Sequence, residues 1–173
     1  MIFMSQSGLV DDTRRKDWNA WYLEHLAIMA TVPGILSAQR FTTVSPGHPP
    51  SLAIYTVTSA DVFRGSYYQQ VRGMGDWLPL IDRAYYRRNL FEGLDRAPEV
   101  ADGQVMLIED LQAMPDGAAA GGSYGHVLRS VGLDQSTPIR RLQVVAGDAA
   151  LGAGDPGVAV YRSASVRFIG NAE

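Results

Sequence analysis

An α+β fold is predicted by two observations on this sequence. The first is the order of its elements, strand-helix-strand-strand-helix-strand, over residues 1–95. The simplest packing of that order is an antiparallel sheet with both helices on one face, the ferredoxin-like βαββαβ unit. The second is an internal echo. Leu52-Ala53-Ile54-Tyr55 is matched by Val158-Ala159-Val160-Tyr161, each at the end of a strand-turn-strand unit. Residues 106–111 precede the later copy much as residues 4–9 precede the earlier one. These features divide the chain into a ferredoxin-like unit at 1–95 and a degenerate second repeat at 103–173, packed with the first. Residues 95–103 (DRAPEVADG) are the linker.

Residues 2–10 are short and apolar, as in a first strand. Asp11-Asp12-Thr13 then supplies helix caps, with carboxylates placed to suit the helix dipole. Trp18, Tyr22, Leu26 and Met29 recur at helical spacing, with Trp21, His25 and Ile28 in a second row. Val32-Pro33-Gly34 stops the helix, because proline cannot continue it and glycine takes the turn. Residues 35–45 and 52–58 are β-rich and flank the turn 46–50, which predicts a hairpin. Ser59 or Asp61 caps a second helix to about Arg72, broken at Gly73-Met74-Gly75. Residues 76–82 are a connector or a short helical turn. Residues 84–94 suit a strand better than a helix. In the second repeat, 104–111, 139–146 and 158–163 read as strands, 126–131 as a short helix, and 114–125 as a glycine-rich loop.

The composition is that of a globular chain able to bury a core: 46% apolar and 19% charged over 173 residues. Net charge is -3, so no basic field draws in nucleic acid or anionic lipid. No apolar run is long enough for a membrane helix. The first residues lack the basic region and apolar core of a secretory signal. The absence of cysteine excludes disulfides and thiolate chemistry and fits a cytoplasmic location. The three histidines are scattered, so neither a metal nor another cofactor is expected. The glycine-rich loop has no lysine and does not read as a nucleotide cradle.

Trp18 and Trp21, then His25, then Pro33-Gly34, then a strand carrying Arg40-Phe41 resemble the EthD-like group of dimeric α/β-barrel proteins. The resemblance covers residues 1–95. It implies a dimeric-type α/β barrel, formed by two chains or by one duplicated chain, and a homodimer. It also implies a cofactor-independent enzyme of aromatic or polyketide metabolism, an isomerase, cyclase or lyase working by proton transfer. A cofactor-free monooxygenase is the nearest variant. The contrasting class is a non-catalytic ligand-binding or assembly protein. The second repeat has no equivalent histidine or tryptophan-rich helix, so one site per chain is expected.

His25 is the candidate acid/base, since imidazole titrates near neutral pH; it also reads as a half-buried histidine bonded to a carbonyl. Trp18, Trp21 and Tyr22 would wall a pocket for a planar aromatic ligand. Arg40 or Tyr55 would hold a developing oxyanion, and Arg87 would bind substrate. Each of these three also reads as an ordinary polar strand residue, because the buried face of each strand is not known from period alone. Glu24 adjoins His25 but points about 100° away on a helix and forms no dyad with it.

Overall fold

The computed structural model describes residues 1–115, 125–147 and 155–170. The strands are β1 (Ile2–Ser7), β2 (Ile35–Thr42), β3 (Ser51–Val57), β4 (Arg87–Glu92), β5 (Gln104–Leu111), β6 (His126–Leu133), β7 (Ile139–Ala146), β8 (Val158–Ser163) and β9 (Phe168–Ile169). Helix α1 (Arg15–Ala30) has 16 residues and α2 (Ser66–Val71) only 6. Three 3₁₀ turns, Asp12–Arg14, Ala60–Arg64 and Gly75–Leu80, complete the described elements.

All strand pairings are antiparallel, and they close on themselves. The order runs β3-β1-β4-β6-β7-β5-β8-β2 and returns to β3. The result is an eight-stranded barrel, with β9 continuing the open part of β2's edge. This corrects the expected α+β, ferredoxin-like, dimeric α/β-barrel class. The second half supplies strands and no helix among its described residues. Residues 126–131, expected as a short helix, lie in β6, where pairing with β4 and β7 takes their backbone groups. The expected second helix is reduced because Gly65 turns extended (φ -59°, ψ 136°) and splits it into a 3₁₀ turn and α2. Both seams of the barrel, β4–β6 and β8–β2, are made within one chain, so closure needs no second copy. The strands of the two halves nevertheless share one spatial order, second-third-first-fourth. Of the glycine-rich segments, 116–124 and 148–154 lie outside the described residues.

Alternation along the strands separates two cores. Ile2 and Met4 of β1, Leu52 and Ile54 of β3, Phe41, Phe91, Met106, Ile108, Leu128, Leu142 and Tyr161 fill the barrel interior. The opposite parity faces α1: Phe3, Ala38, Ala53, Tyr55, Val57 and Leu90 pack against Trp18, Tyr22, Leu26 and Met29. Asp11 caps the start of this helical region by accepting from the Thr13 amide at 2.9 Å. Gly34 ends it at φ +85°, where an added Cβ would stand 2.6 Å from Val62. Residues 95–103, expected as a linker, lie at one end of the barrel. Val100 joins the interior cluster, and Arg167 donates to the carbonyls of Ala97 and Pro98 and to Ser37 Oγ.

The other end of the barrel holds a buried cation. Arg140 is 0% exposed, and its Nε and Nη2 donate to the two Asp110 oxygens at 2.7 and 2.9 Å. Nη2 also donates to Gln6 Oε1 at 3.0 Å, and Phe91 lies 5.3 Å from the guanidinium. Asp110→Ala would strand this charge inside the barrel and should cost about 3 kcal/mol in urea unfolding. Arg140→Met should cost clearly less, because the Asp110 side chain is already 46% exposed and its carboxylate can turn to water.

Candidate ligand-binding site

Helix α1 lays a continuous ring stack over the outer wall of the barrel. Trp18 stacks on Trp21 (centroids 5.0 Å apart, 16° between planes), and Trp21 stacks on His25 (4.8 Å, 10°). The spacing i, i+3, i+7 puts these side chains on one stripe of the helix. Tyr22 meets Trp18 edge-on at 4.9 Å, and Trp77, which sequence reasoning did not single out, meets Trp18 at 5.2 Å. Most of these aromatic faces are therefore taken up by one another.

His25 sits at the end of the stack away from Trp18. It is buried, and neither ring nitrogen has a hydrogen-bond partner among the described residues. Burial holds its pKa down at about 4. The cavity beside it measures about 30 Å³ and is shared with Tyr22, Tyr55, Tyr68 and Arg88. A cavity that takes benzene is roughly 150 Å³, so this space suits a water molecule and not an aromatic ring. Tyr55 is stacked on Phe3 at 5.0 Å, and burial pushes its phenol well above the usual range.

Arg40 occupies a different space. Strand β2 points it out of the barrel, because it pairs with Ala53 and shares that outer face. It is only 3% exposed. Its Nε donates to Ser51 Oγ at 2.9 Å and its Nη1 to Asn19 Oδ1 at 2.7 Å. The guanidinium lies 4.4 Å from the Tyr22 ring centroid and 6.0 Å from that of Trp18. No carboxylate pairs with it among the described residues, and its Nη2 has no acceptor there. Burial lowers its pKa, partly offset by Tyr22, while the charge of Arg15 adds repulsion.

This guanidinium lines a cleft of about 280 Å³ between the start of α1 and the barrel wall, together with Trp18, Asn19, Thr42, Ser51 and Arg162. Arg15 and Asp12 line it as well and are tied to each other in a salt bridge. A buried cation with neutral partners is expensive. An oxyanion entering the cleft would meet an already oriented fork of donors.

The candidates thus divide among three places. Trp18 and Arg40 line the cleft. His25, Tyr22 and Tyr55 surround the small cavity, with Trp21 stacked between the two groups. Arg87 is remote from both, at the barrel end beside Gln6, Asp110 and Tyr161, where its Nη1 donates to the carbonyls of Arg83 and Tyr86. Asn19 and Arg162 were not foreseen. Asn19 carries no spacing signal, and Arg162 lies on a strand that only barrel closure brings to Arg40. Among the described residues no group of three His, Asp or Glu side chains converges as a metal site, and no helix is long and apolar enough to cross a membrane.

No family model matches the chain, and no curated protein is significantly similar to it.

The depressed pKa of His25 has a signed consequence. An unfolded histidine takes up its proton near pH 6.5, whereas the folded one holds off until about pH 4. Stability should therefore fall as pH drops from 6.5 towards 4, by on the order of 3 kcal/mol at most. Denaturant midpoints measured across that window should fall less steeply for His25→Phe than for wild type.

Proposed function

We propose that the protein binds a small planar metabolite bearing an oxyanion, a carboxylate or enolate, in the Arg40 cleft. The observation that carries this reading is the 3% exposed Arg40 guanidinium, which faces the cleft with no acidic partner among the described residues. Arg140, the other deeply buried arginine, has its Asp110. A protein that needed Arg40 only for its fold would gain from pairing it or from replacing it with an apolar side chain. Asn19 and Ser51 orient the fork, and Trp18 offers a wall for a flat ligand.

Proton-transfer chemistry of the EthD-like kind is a second reading. It is favoured by the ring stack that runs from Trp18 at the cleft through Trp21 to His25. In this reading His25, neutral at physiological pH, would act as a weak base, and the small cavity would have to enlarge around a ligand. The binding reading needs no such change. A cytoplasmic location accords with the absence of cysteine.

Thermal shift and calorimetric titration with benzoate, salicylate and 1,3-diketone enolates test the proposal. The wild type should be stabilised by at least one of them. Arg40→Gln should weaken that binding by about tenfold or more, the loss expected for a charge-assisted hydrogen-bond pair. The unliganded variant should keep its stability to within about 1 kcal/mol, because no ion pair is broken. Equal affinity in wild type and Arg40→Gln would remove the cleft from consideration.

A further inference from the structure

We infer that the ligand of the Arg40 cleft is a dianion, with two oxyanion groups held apart on a flat spacer, such as an aromatic dicarboxylate. This rests on the preceding reading of the cleft as the binding site and names the class of molecule it takes.

Charge within the cleft is the first ground. Three arginines, Arg15, Arg40 and Arg162, line it against one carboxylate, Asp12. Asp12 is already engaged, since both its oxygens accept from Arg15. Arg40 has neutral partners only. The Arg162 side chain makes no hydrogen bond or ion pair with the described residues. Among the described residues two cationic forks, the buried Arg40 and the exposed Arg162, therefore face the cleft without an acidic partner, and a monoanion would satisfy one and leave the other.

Spacing is the second ground. Thr42 of β2 is paired directly with Arg162 of β8. Arg40 lies two residues back from Thr42 and so shares its face. Its carbonyl accepts from the Ala164 amide at 2.9 Å, which fixes the register at the seam. Arg40 and Arg162 are thus diagonal neighbours on one face, with Cα atoms roughly 7–8 Å apart. Long side chains at that separation can converge on one phosphate, but they also suit two carboxylates set apart on one ring.

Polarity between them is the third ground. Hydroxyls of Thr42 and Ser51 line the space, whereas those of Thr43 and Ser45 are spent on the Val160 backbone at 2.6 and 3.1 Å. Trp18 supplies the apolar boundary for a ring.

Calorimetric titration of the intact chain with benzoate, isophthalate and phenyl phosphate, at constant ionic strength, separates the possibilities. Isophthalate should bind about tenfold or more tightly than benzoate, as a second charge-assisted contact requires. Arg162→Gln should bring the isophthalate-to-benzoate ratio close to one, and Arg162→Lys should retain part of it. Phenyl phosphate, with both charges on one group, should gain less from Arg162 than isophthalate does. Benzoate and isophthalate binding equally to the wild type would overturn the dianion inference while leaving the Arg40 site in place. So would a ratio unchanged by Arg162→Gln, or phenyl phosphate as the tightest ligand with isophthalate no better than benzoate. Failure of all three to bind the wild type would overturn both readings.

Discussion

The seam between β2 and β8 joins a strand near the start of the chain to one near its end, and it closes the barrel. Without the pairs Phe41↔Ser163 and Thr42↔Arg162, the sheet would keep two open edges with unpaired backbone groups. Closure also fixes parity. Once one face of each strand is inside, the alternate residues must lie outside, and a register slip of one residue would invert the whole set. Through this constraint Phe41 belongs to the interior core, while Arg40 and Thr42 belong to the outer wall beneath α1. The same seam sets Arg162 beside them.

Two buried arginines show what that parity decides. Arg140 points inward, where a guanidinium must be matched: Asp110 takes it with two hydrogen bonds and Gln6 adds a third. Arg40 points outward into the layer between barrel and helix. There it meets an amide, a hydroxyl and two aromatic rings, with no carboxylate among the described residues. The first arrangement is complete as a piece of protein architecture. The second leaves the guanidinium beside an open cleft, where the anion we propose would complete its pairing. Aromatic packing along α1 keeps the region rigid, since Trp18, Trp21 and His25 are held by mutual stacking. A preformed fork on a rigid floor loses little entropy on binding.

Local sequence made much of this legible. The helical spacing of Trp18, Tyr22, Leu26 and Met29 predicts α1 and its buried face, and all four residues are buried there. The hairpin of β2 and β3 and the strands at 104–111, 139–146 and 158–163 follow from β-branched runs between turns. The second half misled because HVLRSV is short and apolar enough to suit either helix or strand, and only its neighbours β4 and β7 choose the strand. His25 stands out by residue type; what its spacing does not reveal is that it is stacked on Trp21 and buried beside a cavity of about 30 Å³. Arg40 was legible as a candidate, but its isolation from any acid was not, because that depends on what lies across the helix–sheet interface.

By itself the sequence determined the local elements: where α1 starts and stops, which of its faces is apolar, and where most strands lie. These depend on contacts between near neighbours, which spacing and turn residues encode. Only the tertiary structure decided that the strands close into one barrel, that Arg140 faces in and Arg40 out, and that Arg162 joins Arg40 at a single cleft. Those outcomes depend on pairings more than a hundred residues apart, such as Arg40 with Ser165. Spacing along the chain carries no record of such distant pairings. They arise when every strand must find two partners and every buried face a core.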